Sequence, residues 1–418
     1  MRFLHLADLH LDTTFANRRD ELRTRLRGAT REAMERAVQQ ALSHEVDAVL
    51  IAGDLFDGDH LSFHTERFLT QAVQRLTSSG ITVVYATGNH DPGGPSGPAS
   101  RIPWPQSVAL LSDAEPRRIP ILREGELVGR VTGAGHTSAR EARDLSATFP
   151  RPQRQPGVAE VALLHTQVLD TPGGSAHDRY APSHLPALRG AGFDYWALGH
   201  IHLRQGLSVD PPIHYPGNLQ GRHPGESGAK GALLVELLPG QAPTVEFLEL
   251  APVRWESLRL GGLDEATSMT ALAGRIQREW EEARDRDPGL PGAEWILRVG
   301  LAGPSPLYRT LQSEEERREL ARHLESALGL LQAEVRAHEL RPPLDPSRHR
   351  DRVDILGEAL RLLDELSDPE GPSPSRTLSL EADELAGLAG AEADEYLRDL
   401  LRGEAPLLLD RLLEGEGR

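Results

Sequence analysis

The sequence predicts an α/β fold: two mixed β-sheets in layers flanked by helices, then a small α/β cap domain and C-terminal helices. Three observations predict it. Short apolar runs and amphipathic stretches follow one another as β-α-β-α-β over residues 2–86. Val46–Ala52 is apolar but for Asp47, the mark of a strand buried on both faces. A polar, chemistry-bearing residue stands just past each of these strands, where ligands gather in open α/β sheets.

Residues 2–7 form the first strand, followed by Asp8-Leu9-His10. Leu22, Leu26, Ala33, Ala37 and Ala41 recur at three-to-four spacing and predict an amphipathic helix over 20–43. Its other face carries Arg18, Arg19, Arg23, Arg25, Arg27 and Arg31, either a solvated face or a phosphate-contacting stripe. The strand 46–52 ends in Gly53-Asp54-Leu55-Phe56-Asp57. Phe68, Leu69, Ala72, Val73 and Leu76 give a second helix, and strand 81–86 runs into Thr87-Gly88-Asn89-His90-Asp91. A Pro/Gly-rich loop follows; it could shape access to a site or be an ordinary surface loop. Short strands are expected over 108–133 and an irregular, arginine-bearing stretch over 136–157, with Arg140, Arg143, Arg151 and Arg154. Val158–Leu164 reads as a buried strand ending at His165. A helix near 183–191 leads to Tyr195–Leu198, then Gly199-His200-Ile201-His202. Tyr215-Pro216-Gly217-Asn218 predicts a tight turn, and strands at 231–237 and 244–250 are expected to complete the second sheet.

From about Arg254 the character changes. Strand-like stretches at 255–260, 295–301 and 332–340 alternate with helices near 264–286 and 313–330, the latter opened by the capping box Ser313-x-x-Glu316. Asp345-Pro346 is expected to start a helix bearing Leu356, Leu360 and Leu363. A Pro/Ser-rich linker at 367–375 precedes two more helices, 381–402 and 405–414. The domains expected are therefore 1–252, 253–342 and 343–418.

At 418 residues the chain has room for two or three domains. No apolar run reaches transmembrane length, so a cytoplasmic protein is expected. With no cysteine, any metal must be held by nitrogen and oxygen. A net charge of −17 argues against a surface coated for DNA, so nucleic-acid contact would need a local patch or bound cations. Lys230 is the single lysine; the arginine excess reads as codon bias rather than phosphate recognition.

Among 17 histidines a lone buried one is more often structural than a ligand, and His5, His177 and His184 are read so. The joint pattern carries more weight: Asp-x-His, Gly-Asp, Gly-Asn-His-Asp, a strand-end His and Gly-His-x-His, in that order. Asn89 offers a neutral carbonyl oxygen to a cation, His90 titrates near neutral pH, and Asp91 is expected to orient the His90 imidazole. This ordered set resembles the signature of the calcineurin-like metallophosphoesterases. Within them it is most similar to the DNA-repair exonuclease branch, SbcD-like and nearer to YhaO-type proteins. The finer likeness rests on Ala7–Asp12, Gly53–Asp57 and Tyr215–His223.

The resemblance implies the layered metallophosphoesterase sandwich and two divalent metals, with Asp8, His10 and His202 on one ion, Asn89, His165 and His200 on the other, and Asp54 between them. Four imidazoles weigh against magnesium; the mixed set admits manganese, iron or zinc, and the exonuclease likeness favours manganese. Two divalent ions against Asp8 and Asp54 leave about two net positive charges, enough for an acidic protein to hold a phosphodiester at this point. A hydroxide activated by both ions would attack phosphorus, while His90, outside the metal shell, would protonate the leaving oxygen. Asp12 and Asp57 are expected behind the ligands or in turns, and Asn218 and His223 in a loop bordering the site. The implied function is a DNA nuclease, exo- or endonucleolytic, acting in DNA repair with an SMC-like ATPase of the SbcC/YhaN type; related nucleases also form homodimers. The C-terminal helices would dock the ATPase or pack on the preceding domain. Two alternatives stand beside this: a phosphodiesterase or phosphatase for nucleotides and other small phosphoesters, and a DNA-binding scaffold with a vestigial nuclease.

Overall fold

The computed structural model describes residues 1–16, 18–58, 61–94, 97–169, 180–380, 388 and 390–416. Two compact units divide the chain, Met1–Glu256 with Asp287–Ile296, and Ser257–Arg286 with Leu297–Arg418. His177, residues 95 and 96 of the Pro/Gly-rich loop, and most of the start of the expected 381–402 helix lie outside the described residues.

The first unit opens with β1 (Arg2–Leu6), α1 (Asp20–Ser43), β2 (Ala48–Ala52), α2 (Phe63–Ser78), β3 (Thr82–Ala86), a one-turn α3 (Pro98–Arg101) and β4 (Val108–Leu111). It continues through β5 (Arg117–Arg123), β6 (Glu126–Ala134), β7 (Ala159–His165), β8 (Val168–Leu169), β9 (Ser183–His184), α4 (Leu185–Gly190) and β10 (Tyr195–Gly199). The last four strands are β11 (Gln205–Val209), β12 (Pro212–Tyr215), β13 (Gly231–Glu236) and β14 (Thr244–Glu249). Two six-stranded mixed sheets result, in the orders β14-β13-β1-β2-β3-β4 and β11-β12-β10-β7-β6-β5. β1 to β4 run parallel, as do β6, β7, β10 and β12; the antiparallel strands lie toward the edges.

Strand alternation builds the layers. Ala48, Leu50 and Ala52 of β2 face the second sheet, meeting Val161, Leu163, Tyr195 and Ala197. Val49 and Ile51 point the other way, onto Ala33, Met34 and Ala37 of α1 and Leu69, Ala72 and Val73 of α2. Both faces of β2 are buried, which is why its sequence shows no polar alternation. On the far side of the second sheet, Leu164, Trp196 and Leu198 pack with Leu188 of α4 and Phe193.

The strands at 231–249 correct one expectation. They join the first sheet, not the second: β13 pairs antiparallel with β1 from Arg2↔Glu236 to His5↔Leu233. Leu233, Val235 and Leu237 thereby fill the layer between the sheets beside Phe3. The second sheet is completed by β11 and β12, a stretch the sequence marks only by its closing turn.

In the second unit, β15 (Val253–Leu260) and β16 (Glu294–Pro304) run in from the first and form a three-stranded sheet with β17 (Gln332–Arg341), in the order β15-β16-β17. Between them lie α5 (Met269–Arg286), α6 (Tyr308–Gln312) and α7 (Glu314–Leu328). Ser313 caps α7 by accepting the Glu316 N–H at 3.4 Å. The helix expected at Asp345 begins later. Asp345 bonds Ser347 and caps only a 3-10 turn, while α8 (Ile355–Ser367) is capped by Asp354, which accepts the Gly357 N–H at 3.1 Å. A short α9 (Pro374–Thr377), α10 (Ala391–Leu401) and α11 (Ala405–Glu416) follow. Leu356 and Leu360 of α8 pack on Leu409 of α11. No helix among the described residues is long and apolar enough to cross a membrane.

Candidate metal centre

The site forms where parallel strands of both sheets end side by side. Asp8 and His10 follow β1, Asp54 follows β2, Asn89 follows β3, His165 is the last residue of β7, and His200 is the first after β10. Two glycines let the strand ends meet. A Cβ on Gly53 would stand 2.2 Å from the His165 ring, and one on Gly199 would stand 1.7 Å from the Ala52 carbonyl oxygen. Four of the side chains spring from left-handed backbone: Asp8 (φ 53°), His10 (47°), Asp54 (51°) and His200 (107°). Such conformations cost on the order of 1–3 kcal/mol each and persist where the surroundings over-determine them, typically at functional sites.

The seven residues the sequence picks out converge in two groups. Asp8, His10 and His202 offer donor atoms within 4.8 Å of one another, as do Asp8, Asp54 and His165. His10 Nε2 lies 3.2 Å from His202 Nε2 and 3.7 Å from Asp54 Oδ2; His202 Nε2 is 3.9 Å from Asp8 Oδ1. Asn89 Oδ1 is 2.9 Å from His165 Nε2 and 3.2 Å from His200 Nδ1, and His165 Nε2 is 3.5 Å from Asp54 Oδ2. Asp54 thus lies against both groups.

The outer ring nitrogens explain why these contacts suit cations. His202 Nδ1 donates to Glu226 Oε1 at 2.6 Å and His165 Nδ1 to the Ala52 carbonyl at 2.9 Å, while His10 Nδ1 faces Asp57 Oδ1 at 3.5 Å. With their protons outside, the inner nitrogens present lone pairs to each other, to the carboxylates and to the Asn89 oxygen. A cluster of facing acceptors is repulsive alone and becomes attractive around divalent ions. Carboxylate or carbonyl support behind each imidazole is the usual arrangement for metal-binding histidines. The residues therefore fit two divalent cations, with nitrogen and oxygen donors only.

His90 stands beside this cluster, its ring 4.7 Å from that of His10. The expectation that Asp91 orients it is not met. Asp91 is fully buried and accepts N–H groups from Gly88 (2.6 Å), Leu55 (2.6 Å) and Asp54 (3.2 Å), together with the Tyr85 hydroxyl (2.5 Å). Its role is to pin the two strand-end loops together. Asp57 takes the orienting role, with Oδ1 3.0 Å from His90 Nδ1. Asp12 lies in a turn, accepting the Ser62 N–H at 2.7 Å at the start of α2.

Sequence reasoning missed three supporting residues. Glu226 is buried and gathers the loop at 216–228, taking bonds from His202, the Arg222 N–H (2.7 Å) and Asn218 Nδ2 (2.8 Å), with His223 Nε2 at 3.2 Å. Asn218 and His223 thus border the site by way of Glu226. Lys230, the single lysine, is buried and donates to the His202 carbonyl at 3.0 Å. His136 is buried behind His165, its Nε2 2.7 Å from the His165 carbonyl. Nothing in spacing or periodicity marks these residues, because each acts through a contact made at long range in the chain.

Burial sets the electrostatics. It raises Asp8 far above the carboxylate range, helped by the nearby Asp54, and raises Asp54 to about 7, helped by Asp91. Burial also pushes His10 and His165 well down, keeping both imidazoles neutral and able to bind a cation. Asp57 is held low against its own burial by the His10 and His90 rings that face it, and its close contact with His90 raises that imidazole in turn.

Residues 1–204 match the calcineurin-like phosphoesterase family. Over 310 residues the chain is 33% identical to YhaO of Bacillus subtilis (strain 168), a metallophosphoesterase itself uncharacterized, a match spanning 73% of this chain and 72% of that one. It is 31% identical over 272 residues to the DNA double-strand break repair protein Mre11 of Aeropyrum pernix, covering 60% of this chain and 61% of that protein. It is 25% identical over 324 residues to the SbcD component of the nuclease SbcCD of Escherichia coli (strain K12), covering 69% and 76%. The family uses a dinuclear site for divalent metals, and the strand-end cluster supplies candidate ligands for it. The chain belongs to the calcineurin-like phosphoesterases, as a metallophosphoesterase related to the Mre11 and SbcD nucleases.

Proposed function

We propose that this protein is a manganese-dependent DNA nuclease, hydrolysing phosphodiesters in DNA repair or processing in the cytoplasm beside an SMC-like ATPase of the SbcC/YhaN type. One observation carries the catalytic part: seven metal-suited side chains converge, with a protonatable imidazole, His90, held beside them by a carboxylate. Two cations held by Asp8, His10 and His202 and by Asn89, His165 and His200, with Asp54 between, would supply a nucleophile at neutral pH and charge for the phosphoryl oxygens. The donor set admits manganese, iron or zinc; manganese follows the exonuclease likeness. Asp57, held low, raises His90 and so favours its protonated form, from which His90 can give its proton to the leaving oxygen. Asp91 supports the loops and takes no part in proton transfer.

DNA as substrate is supported by the Mre11 and SbcCD relatives, and a protein partner by the composite name of the latter. We assign the chemistry to residues 1–252, a capping role to 253–342 and partner docking to 343–418, where Ile355, Leu362, Tyr396 and Leu400 are exposed apolar groups on helices.

One observation favours small phosphoesters instead. The arginine stripe of α1 is largely engaged inside the protein: Arg25 with Glu294 and Glu32, Arg27 with the Thr13 and Thr14 carbonyls, Arg23 with Asp20, and Arg31 near Asp12. Arg143 and Arg154 likewise pair with Glu141 and Asp194, whereas Arg140 and Arg151 are exposed. The deciding experiment is an assay on end-labelled single- and double-stranded DNA with manganese, beside nucleotide substrates and the Asp54→Ala variant. Asp54-dependent DNA cleavage supports the nuclease; turnover of nucleotides alone favours the small-substrate reading; DNA binding without cleavage favours a scaffold.

A further inference from the structure

We propose that Arg222 clamps the substrate phosphate, its guanidinium taking a non-bridging oxygen of the scissile group, and that Glu226 positions both this guanidinium and the His202 ring. The inference rests on reading the site as a phosphoesterase centre.

Arg222 reaches the cluster from the loop after β12. Its Nη2 is 3.3 Å from His202 Nδ1 and 3.5 Å from Glu226 Oε1, and its Nη1 is 3.8 Å from Asp57 Oδ1. It therefore stands between the carboxylate that holds His90 and the carboxylate that holds His202, with its side chain only 15% exposed. Its charge is felt across the site, helping to hold Asp57 and Glu226 low.

Two arginines with a structural task in this protein close tightly on their partners. Arg123 meets both oxygens of Asp47 at 2.7 Å, and Arg143 meets Glu141 at 2.6 and 2.8 Å. Those are charge-assisted, bidentate distances. Arg222 makes no such contact with either neighbouring carboxylate, and its Nε is buried without a hydrogen-bond partner. The His202 Nδ1 beside it already donates to Glu226, so that nitrogen offers Arg222 no lone pair. A mostly buried guanidinium with its Nε unpartnered and its Nη atoms only loosely paired needs a reason. A planar fork beside a centre that receives phosphoryl oxygens supplies one, since arginine matches phosphate with paired N–H donors.

Glu226 keeps the fork where it is. Its Oε2 accepts the Arg222 backbone N–H at 2.7 Å and Asn218 Nδ2 at 2.8 Å, while its Oε1 takes His202. One buried carboxylate thus fixes the base of the arginine and the tilt of a candidate ligand together. The motif around Tyr215–His223 gains a physical meaning from this: instead of the expected tight turn, Gly217 and Asn218 run against the His202 carbonyl, which accepts the Asn218 N–H at 3.3 Å. A Cβ on Gly217, whose φ is 78°, would sit 2.8 Å from the His202 carbonyl.

The test uses the full chain loaded with manganese. Three readouts are compared in wild type, Arg222→Ala, Arg222→Lys and Glu226→Gln: bound metal per chain, KM and kcat for bis-p-nitrophenyl phosphate, and the dissociation constant for inorganic phosphate by calorimetry. A phosphate clamp predicts unchanged metal content in both Arg222 variants. In Arg222→Ala it predicts phosphate affinity and kcat/KM each lower by about 10- to 100-fold, the range for a lost charged hydrogen bond, with partial recovery in Arg222→Lys. Glu226→Gln should weaken phosphate and metal together. Wild-type phosphate affinity in Arg222→Ala would overturn the proposal, as would loss of metal in both Arg222 variants, which would make the residue structural. A wild-type protein that binds phosphate through Arg222 yet hydrolyses no phosphoester would overturn the phosphoesterase reading and leave the clamp standing.

Discussion

At the scale of single residues, the centre is a place where stability is given up for chemistry. Asp54 is fully buried and raised from 3.8 to about 7, chiefly by desolvation. A carboxyl whose folded pKa exceeds its unfolded value holds its proton more tightly when folded. Its destabilising contribution is absent below about pH 4 and grows as pH rises toward 7. Metal-free Asp54→Asn should therefore melt above the metal-free wild type at pH 8, the gap closing as pH falls toward 4. Added manganese should reverse the order at pH 8 by stabilising the wild type alone; equal melting of the two metal-free proteins at every pH would refute burial as the source of the shift. His90 carries the opposite signature. His90→Ala should keep its metal and lose about 10²–10⁴-fold in kcat, the usual worth of a general acid; depleted metal would make His90 a ligand. Because the Asp57 bond raises His90, Asp57→Asn should move the alkaline limb of the kcat/KM profile to lower pH. An unmoved limb would separate Asp57 from proton transfer.

At the scale of elements, the strand ends do the positioning, and they were largely legible. The apolar runs of β1, β2, β3, β7 and β10 end in polar groups, and each lies within a residue or two of its expected bounds. What spacing could not convey is which carboxylate serves which imidazole. Asp91 adjoins His90 in sequence, yet the chain turns so that Asp91 points inward to five donors and Asp57, from another loop, reaches the ring. Glu226 was invisible for the same reason, since a glutamate in a Pro-Gly-Glu-Ser-Gly turn carries no sign of what folds onto it. The apolar pattern of β13 suits either sheet, and only its register with β1 decides which one it joins. The close approach of the two sheets yields a sharp test. Gly53→Ala puts a methyl into the His165 ring on a backbone of φ 85°. Manganese affinity should fall by at least about tenfold, the low end for disturbed metal-ligand support. Unchanged affinity would mean that β2 and β7 are not held at this separation.

At the scale of the whole molecule, a net charge of −17 leaves phosphate attraction to a local basic patch or to cations held at the strand-end cluster. In the second unit the C-terminal helices share a core, with Leu356, Leu360 and Leu409 packed together. Removing α11 would strip that core, so partner docking is better tested on the exposed face. Ile355→Glu with Leu362→Glu should weaken capture of the ATPase while leaving bis-p-nitrophenyl phosphate turnover intact, and undiminished capture would move the docking surface elsewhere. The central claim, that Asp8, His10, Asp54, Asn89, His165, His200 and His202 enclose a pair of cations, is tested most directly by anomalous diffraction from crystals soaked in manganese. The expected result is two peaks about 3.5–4 Å apart, the spacing of two-metal sites, with Asp54 between them. A single peak, or two that share no Asp54 contact, would contradict it.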